Sequence, residues 1–161
     1  MTQAPSYIAW IRGLIGDAKI ILNAACVVIP NDKGEILLQQ RSDNQLWGLP
    51  GGLMELGESI AQTAIREVKE ETNLDVTLTG FVGVFVNPAM TWRKTDKAQV
   101  ICHSFVGAIA GGTLAINDGE SLNFGWFGPD NLPCIHSSDN AETIQAFFKG
   151  QRNLIEGRRY S

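Results

Sequence analysis

The chain has 161 residues, of which 44% are hydrophobic and 19% charged, and its formal net charge is -4. That length fits a single core, so no second large domain is expected, and the acidic balance argues against a general nucleic-acid surface. Any phosphate-bearing ligand must then be met by a metal ion and a few local cations.

Tyr7, Ile8, Ile11, Leu14 and Ile15 recur at helical spacing, and Gly16 offers a stop. The spacing predicts a short amphipathic helix in an extension over residues 1–19, ahead of a main domain over 20–161. Its apolar face packs on the core or on a second copy in a homodimer, or else Tyr7 or Trp10 stacks on a ligand base. Residues 20–29 read as a buried strand, Asn31-Asp32-Lys33-Gly34 as a hairpin turn and residues 35–40 as the partner strand. The apolar run 20–30 is too short for a bilayer and contains Asn23, and the first ten residues hold no basic cluster. Neither a membrane span nor an export signal is expected.

Residues 52–74 form the most informative segment. Glu67, Glu70 and Glu71 stand three and four positions apart, so at roughly 100° per residue they share one arc of a helix. Ala61, Ala64, Ile65, Val68 and Thr72 take a different, apolar arc. Like charges on neighbouring turns cost a few tenths of a kcal/mol per pair unless a counter-charge is present, and an oxygen-seeking divalent cation would supply it. Ser59 with Gln62 makes a capping box, and Glu58 sits at the positive end of the helix dipole, so the helix begins near Ile60. Asn73 readily takes the left-handed conformation and closes it.

Residues 75–86, 99–109 and 121–127 read as further strands, with Gly111-Gly112 as a break and 129–133 as a loop. Residues 141–149 form a closing helix with Ile144, Phe147 and Phe148 inward. Strands with helices before, amid and after them indicate an α/β sandwich. Within the loop 88–97, Trp92 beside Arg93, Lys94 and Lys97 suits base stacking and phosphate contact, or simply a soluble hairpin tip. Cys26, Cys102 and Cys134 are odd in number and lack metal-ligand spacing, which points to reduced thiols in a cytoplasmic protein. His103 and His136 show no pattern and read as ordinary residues.

Gly52, Glu58, Arg66, Glu67, Val68, Glu70, Glu71 and Leu74 together match, in register, the pattern Gly, five residues, Glu, seven residues, Arg-Glu-apolar-x-Glu-Glu-x-Gly-apolar. The segment resembles the Nudix box, with Asn73 where the family has Gly. The resemblance implies an α/β class Nudix-type α/β/α sandwich with a mixed β-sheet, the box lying at the sheet's mouth. It implies Mg²⁺, or alternatively Mn²⁺, held by Glu67, Glu70, Glu71 and the Gly51 carbonyl. The expected reaction is hydrolysis of a nucleoside diphosphate linked to another moiety, a nucleotide-derivative small molecule.

Arg66, placed away from the metal arc and near Glu58, is expected to orient the carboxylates through a fork-shaped ion pair. The resemblance implies that the proton of the attacking water goes to Glu67 or to Glu120, in the loop Asn117-Asp118-Gly119-Glu120; Glu120 is otherwise a fourth metal ligand or an acidic loop tip. Arg41 resembles a position from which family members reach phosphate or base, or pairs with Asp43. Pro88 lies near the proline of the ADP-ribose pyrophosphatase branch. The tyrosine of dinucleoside polyphosphate hydrolases is absent, as is a coenzyme A signature. ADP-ribose-like substrates thus stand ahead of modified nucleoside triphosphates. RNA 5′-end hydrolysis is disfavoured by the acidic charge. A Nudix-fold sensor that binds a nucleotide without hydrolysing it is the rival reading, and a partner-binding domain a third.

Overall fold

A computed structural model describes residues 5–92, 96–117 and 119–155. In chain order the elements are α1 (Tyr7–Ile15), β1 (Ile20–Val28), β2 (Ile36–Arg41), β3 (Trp47–Gly48), β4 (Gly51–Leu53) and α2 (Ile60–Thr72). They continue with β5 (Leu74–Trp92), β6 (Asp96–Gly112), β7 (Ser121–Phe127), α3 (Ser138–Phe148) and β8 (Leu154–Ile155).

β1 explains the architecture. Ala25, Val27 and Ile29 face one way and cluster with Ala64 and Val68 of α2, whereas Cys26 and Val28 face the other way and cluster with Ile144 and Ala146 of α3. A strand covered by a helix on each face needs apolar residues at every position rather than at alternate ones, and so reads as a continuous apolar run. The chain is an α/β/α sandwich. β1 runs parallel to β6 and antiparallel to β4 within a mixed sheet of order β4-β1-β6-β5-β8. β2 lies in a second sheet of order β3-β2-β7.

That second sheet corrects the expected hairpin between residues 20–29 and 35–40. The turn itself forms, with Asn31 N–H donating to the Glu35 carbonyl at 2.8 Å and Leu37 N–H to the Ile29 carbonyl at 3.0 Å. Beyond it the strands part, because both edges of β1 are taken by β4 and β6. The expected break at Gly111-Gly112 falls on its second residue: Gly111 still pairs with Asp75 and Gly112 with Leu74, and β6 ends at Gly112 with φ 82. Much of the loop expected over 88–97 is strand, since Met90 and Thr91 pair with Ala98 and Lys97. Pro88, which has no N–H to donate, falls in the register shift between Asn87 and Met90, where a missing ladder bond is tolerated.

α2 starts and ends where its local chemistry dictates. Ser59 Oγ accepts from Gln62 N–H at 3.2 Å and Gln62 Oε1 from Ser59 N–H at 2.8 Å, while Asn73 closes the helix at φ 61, ψ 10. Asn73→Gly keeps that conformation, whereas Asn73→Ala should cost about 1 kcal/mol, measurable by denaturant unfolding. Ala64, Val68 and Thr72 are buried as expected, but Ile65 is 41% exposed and Glu71 only 6%. The buried face of α2 is therefore rotated toward the acidic arc. α1 packs on the core through Tyr7 and Ile8, which rest on Leu22, Ala24, Ala98 and Val100.

Candidate active site

Arg66 organises the start of α2. Its Nε and Nη2 donate to the two carboxylate oxygens of Glu58 at 2.5 and 3.0 Å, the expected fork. Glu58 also accepts from Thr63 Oγ1 at 2.8 Å and Glu55 N–H at 3.1 Å. The Arg66 bond, helped by these other donors and outweighing burial, which acts upward, pulls the Glu58 carboxyl down to about 2.

The remaining guanidinium nitrogen corrects the expectation that Arg66 stands away from the metal arc. Nη1 bridges Glu67 at 2.8 Å and Glu70 at 2.9 Å, so part of the counter-charge for the acidic arc comes from the chain itself. Nη2 also donates to the Leu53 carbonyl at 3.1 Å, tying β4 to the helix. Burial pushes the Glu67 carboxyl up, against the opposing pull of Arg66.

The Gly51-Gly52 pair sits against these acids. Gly51 N–H donates to Glu71 at 2.8 Å, and a Cβ on Gly52 would stand 2.5 Å from the Glu67 carboxylate carbon. Gly52→Ala should therefore displace Glu67 and lower turnover about 10²-fold, with a far smaller change in melting temperature, measurable by steady-state kinetics beside thermal unfolding.

Glu67, Glu70, Glu71, Gly51 and Glu120 all line one cavity of about 500 Å³. Hard carboxylate oxygens beside backbone groups suit an oxygen-seeking divalent ion. Among the described residues, however, no three acidic, histidine or cysteine side chains are already gathered around a metal position. Arg66 holds Glu67 and Glu70, and Glu71 turns to the Gly51 amide. The donor set fits such an ion, and seating one requires these bonds to loosen.

Arg41 meets both of its alternatives, since it forms a two-point pair with Asp43 at 2.9 Å per bond and also lines the cavity. Glu120 is brought there as well, its carbonyl accepting from Ser42 N–H at 2.8 Å. Trp92 ends β5, but its side chain and all of Arg93 lie outside the described residues. Trp10 is 47% exposed and is not part of the cavity wall.

The NUDIX domain family model matches residues 21–147. The chain belongs to the Nudix family. A relative from Bacillus subtilis (strain 168), provisionally named an 8-oxo-dGTP diphosphatase, is 33% identical over 81% of this chain and 82% of its own length. An ADP-ribose pyrophosphatase from Methanocaldococcus jannaschii is 33% identical over 71% of this chain, which spans 66% of that relative's length. The crystal structure of an ADP-ribose pyrophosphatase from Streptococcus suis superposes with a TM-score of 0.66 at 27% identity, covering 83% of this chain and 96% of that one. This Nudix protein is thus a hydrolase acting on pyrophosphate bonds, in a family that generally uses divalent metal ions.

Three further residues of this Nudix hydrolase line the cavity without having been singled out by the sequence: His136, Asp139 and Asn140. Asn140 Oδ1 accepts from Leu49 N–H at 2.7 Å and His136 N–H donates to the Trp47 carbonyl at 2.8 Å, so the start of α3 fixes the approach to Gly51. Burial, followed by the charge of Arg41, pushes His136 down to about 4 from an ordinary 6.5. The folded state then binds fewer protons than the unfolded chain between those values, so this residue's contribution lowers stability as pH falls through that window. A proton NMR titration should show His136 neutral down to about pH 4.

Proposed function

We propose that this Nudix hydrolase cleaves the diphosphate linkage of a nucleotide derivative with Mg²⁺ as the working ion, Mn²⁺ substituting. The observation that carries the reading is the acidic arc of α2, organised by Arg66, on the wall of a cavity large enough for a nucleotide. Glu67, Glu70, Glu71 and the Gly51 carbonyl would hold the ion. When bound it supplies positive charge to the diphosphate and polarises the attacking water. Glu67 or Glu120, both facing the cavity, accepts that water's proton on a carboxylate oxygen. Arg66, fixed by Glu58, keeps Glu67 and Glu70 in place. Arg41 sits on the wall where it reaches a phosphate or base if it releases Asp43.

The names of the relatives support two substrate classes, ADP-ribose-like compounds and oxidised nucleoside triphosphates. The test is a panel of ADP-ribose, nucleotide sugars, dinucleotides and 8-oxo-dGTP, assayed for phosphate-bearing products with and without Mg²⁺ and repeated with Glu70→Gln. Metal-dependent turnover that the variant loses is expected. Binding without turnover in the unmodified protein would favour the sensor instead.

A further inference from the structure

Helix α1 lies outside the family match, which begins at residue 21, yet it helps enclose the cavity that holds the acids. Ser6 and Ile8 line that cavity together with Ala24, Leu53, Met90 and Val100. Ile8 and Tyr7 pack on Leu22, Ala24, Ala98 and Val100, with Leu53 and Met90 alongside. These side chains carry no charge, in contrast with the α2 wall of Arg66, Glu67, Glu70 and Glu71.

The helix is held at both ends. At its start, Tyr7 N–H donates to the Glu55 carboxylate at 2.7 Å. Near its end, Arg12 donates to the Lys97 carbonyl on β6 at 2.8 Å and to the Ala18 and Gly16 carbonyls at 2.6 and 3.0 Å. Glu55 also donates its own N–H to Glu58, which is the carboxylate paired with Arg66. The tether of α1 and the brace of the catalytic acids therefore meet on one residue.

We infer that α1 is a specificity wall. Ile8 presents a fixed apolar surface to the uncharged part of the nucleotide, the ring face or sugar remote from the diphosphate, and Glu55 is the positioning residue that sets its place. An apolar wall accepts C–H edges and ring faces, and the one charged group beside it on the cavity lining, the Glu55 carboxylate, repels a second anion, so it selects molecules that carry their charge on the diphosphate alone. The inference rests on the hydrolase reading for its substrates, but not for its binding test.

The test uses the full chain and four variants, Ile8→Trp, Ile8→Ala, Glu55→Leu and Glu55→Gln, each checked for folding by circular dichroism and thermal unfolding. Binding of α,β-methylene-ADP is measured by calorimetry, and kcat and KM are measured with ADP-ribose and dGTP. Ile8→Trp should weaken analogue binding and raise KM about tenfold with kcat little changed, while Ile8→Ala shifts the kcat/KM ratio of the two substrates. Glu55→Leu should reproduce the rise in KM, and Glu55→Gln, which keeps an oxygen acceptor for Tyr7 N–H, should not. Folded Ile8 variants that bind the analogue and discriminate as the unmodified protein does would overturn the wall while leaving the hydrolase reading intact. An unmodified protein that binds the analogue without hydrolysing either substrate, with Ile8→Trp still losing affinity, would support the wall and sink the hydrolase reading. Absence of both binding and turnover in the unmodified protein overturns both.

Discussion

Glu67→Gln should lower kcat/KM by about 10³-fold and leave the melting temperature unchanged or raised. The two halves have different causes. Burial pushes the Glu67 carboxyl up, and Glu70 and Glu120 add repulsion, so its ionised form is disfavoured in the folded state relative to the unfolded chain. An acid with a raised folded value costs stability as pH rises through its titration range, and a neutral amide of the same shape removes that cost. Gln also keeps an oxygen for Arg66 Nη1, now 2.8 Å from the carboxylate. What the amide cannot do is take a proton or offer a full negative charge to a cation. A residue kept against the stability of the fold is the pattern of a functional acid, and activity and melting curves on one preparation would show it. Loss of stability with retained turnover would reverse the assignment.

Arg66→Met has the opposite signature, because here stability and activity fall together. Its three nitrogens contact Glu58, Glu67, Glu70 and the Leu53 carbonyl, and without them Glu58 remains as a largely buried charge, its side chain 19% exposed. The expected loss is about 2 to 4 kcal/mol, less than for a fully buried pair because water reaches part of the site. Turnover should fall about 10²-fold as the carboxylates separate. The acid limb provides an internal check. Glu58 is held at about 2 against an ordinary 4.5, so its contribution is present above the higher value and is lost as pH falls toward the lower. The unmodified protein should lose stability across that window, and Arg66→Met should show a flatter profile in urea unfolding between pH 5 and 2. Arg66→Lys should recover little, since an ammonium cannot make a two-point pair with Glu58 and bridge two further acids.

The features legible in the sequence were those set by neighbours in the chain. The ends of α2 follow from Ser59, Gln62 and Asn73, each bonded within a few residues of itself, and the fork between Glu58 and Arg66 follows from their register. The division of β1 and β2 between two sheets was not legible, because it depends on β4 and β6 claiming the edges of β1 from far along the chain. The same holds for the far side of the site. His136, Asp139 and Asn140 are held at the cavity by partners distant in the sequence, Asn140 by Leu49 across 91 positions, His136 by Trp47 and Asp139 by Asn87, and no local spacing signals them. The role of Arg66 was half legible: its partner Glu58 could be named, but helical phase alone did not show a long side chain reaching back to Glu67 and Glu70.

In the function proposed, Glu67, Glu70 and Glu71 together hold a divalent ion on the cavity wall. Mn²⁺ binding followed by electron paramagnetic resonance, on the unmodified protein and on Glu67→Gln, Glu70→Gln and Glu71→Gln, tests it without reference to any substrate. Saturable binding that each substitution weakens is expected, with Glu58→Gln weakening it less and through the loss of Arg66 placement. Mn²⁺ binding that is unchanged in all three variants, with their folds intact, would contradict it.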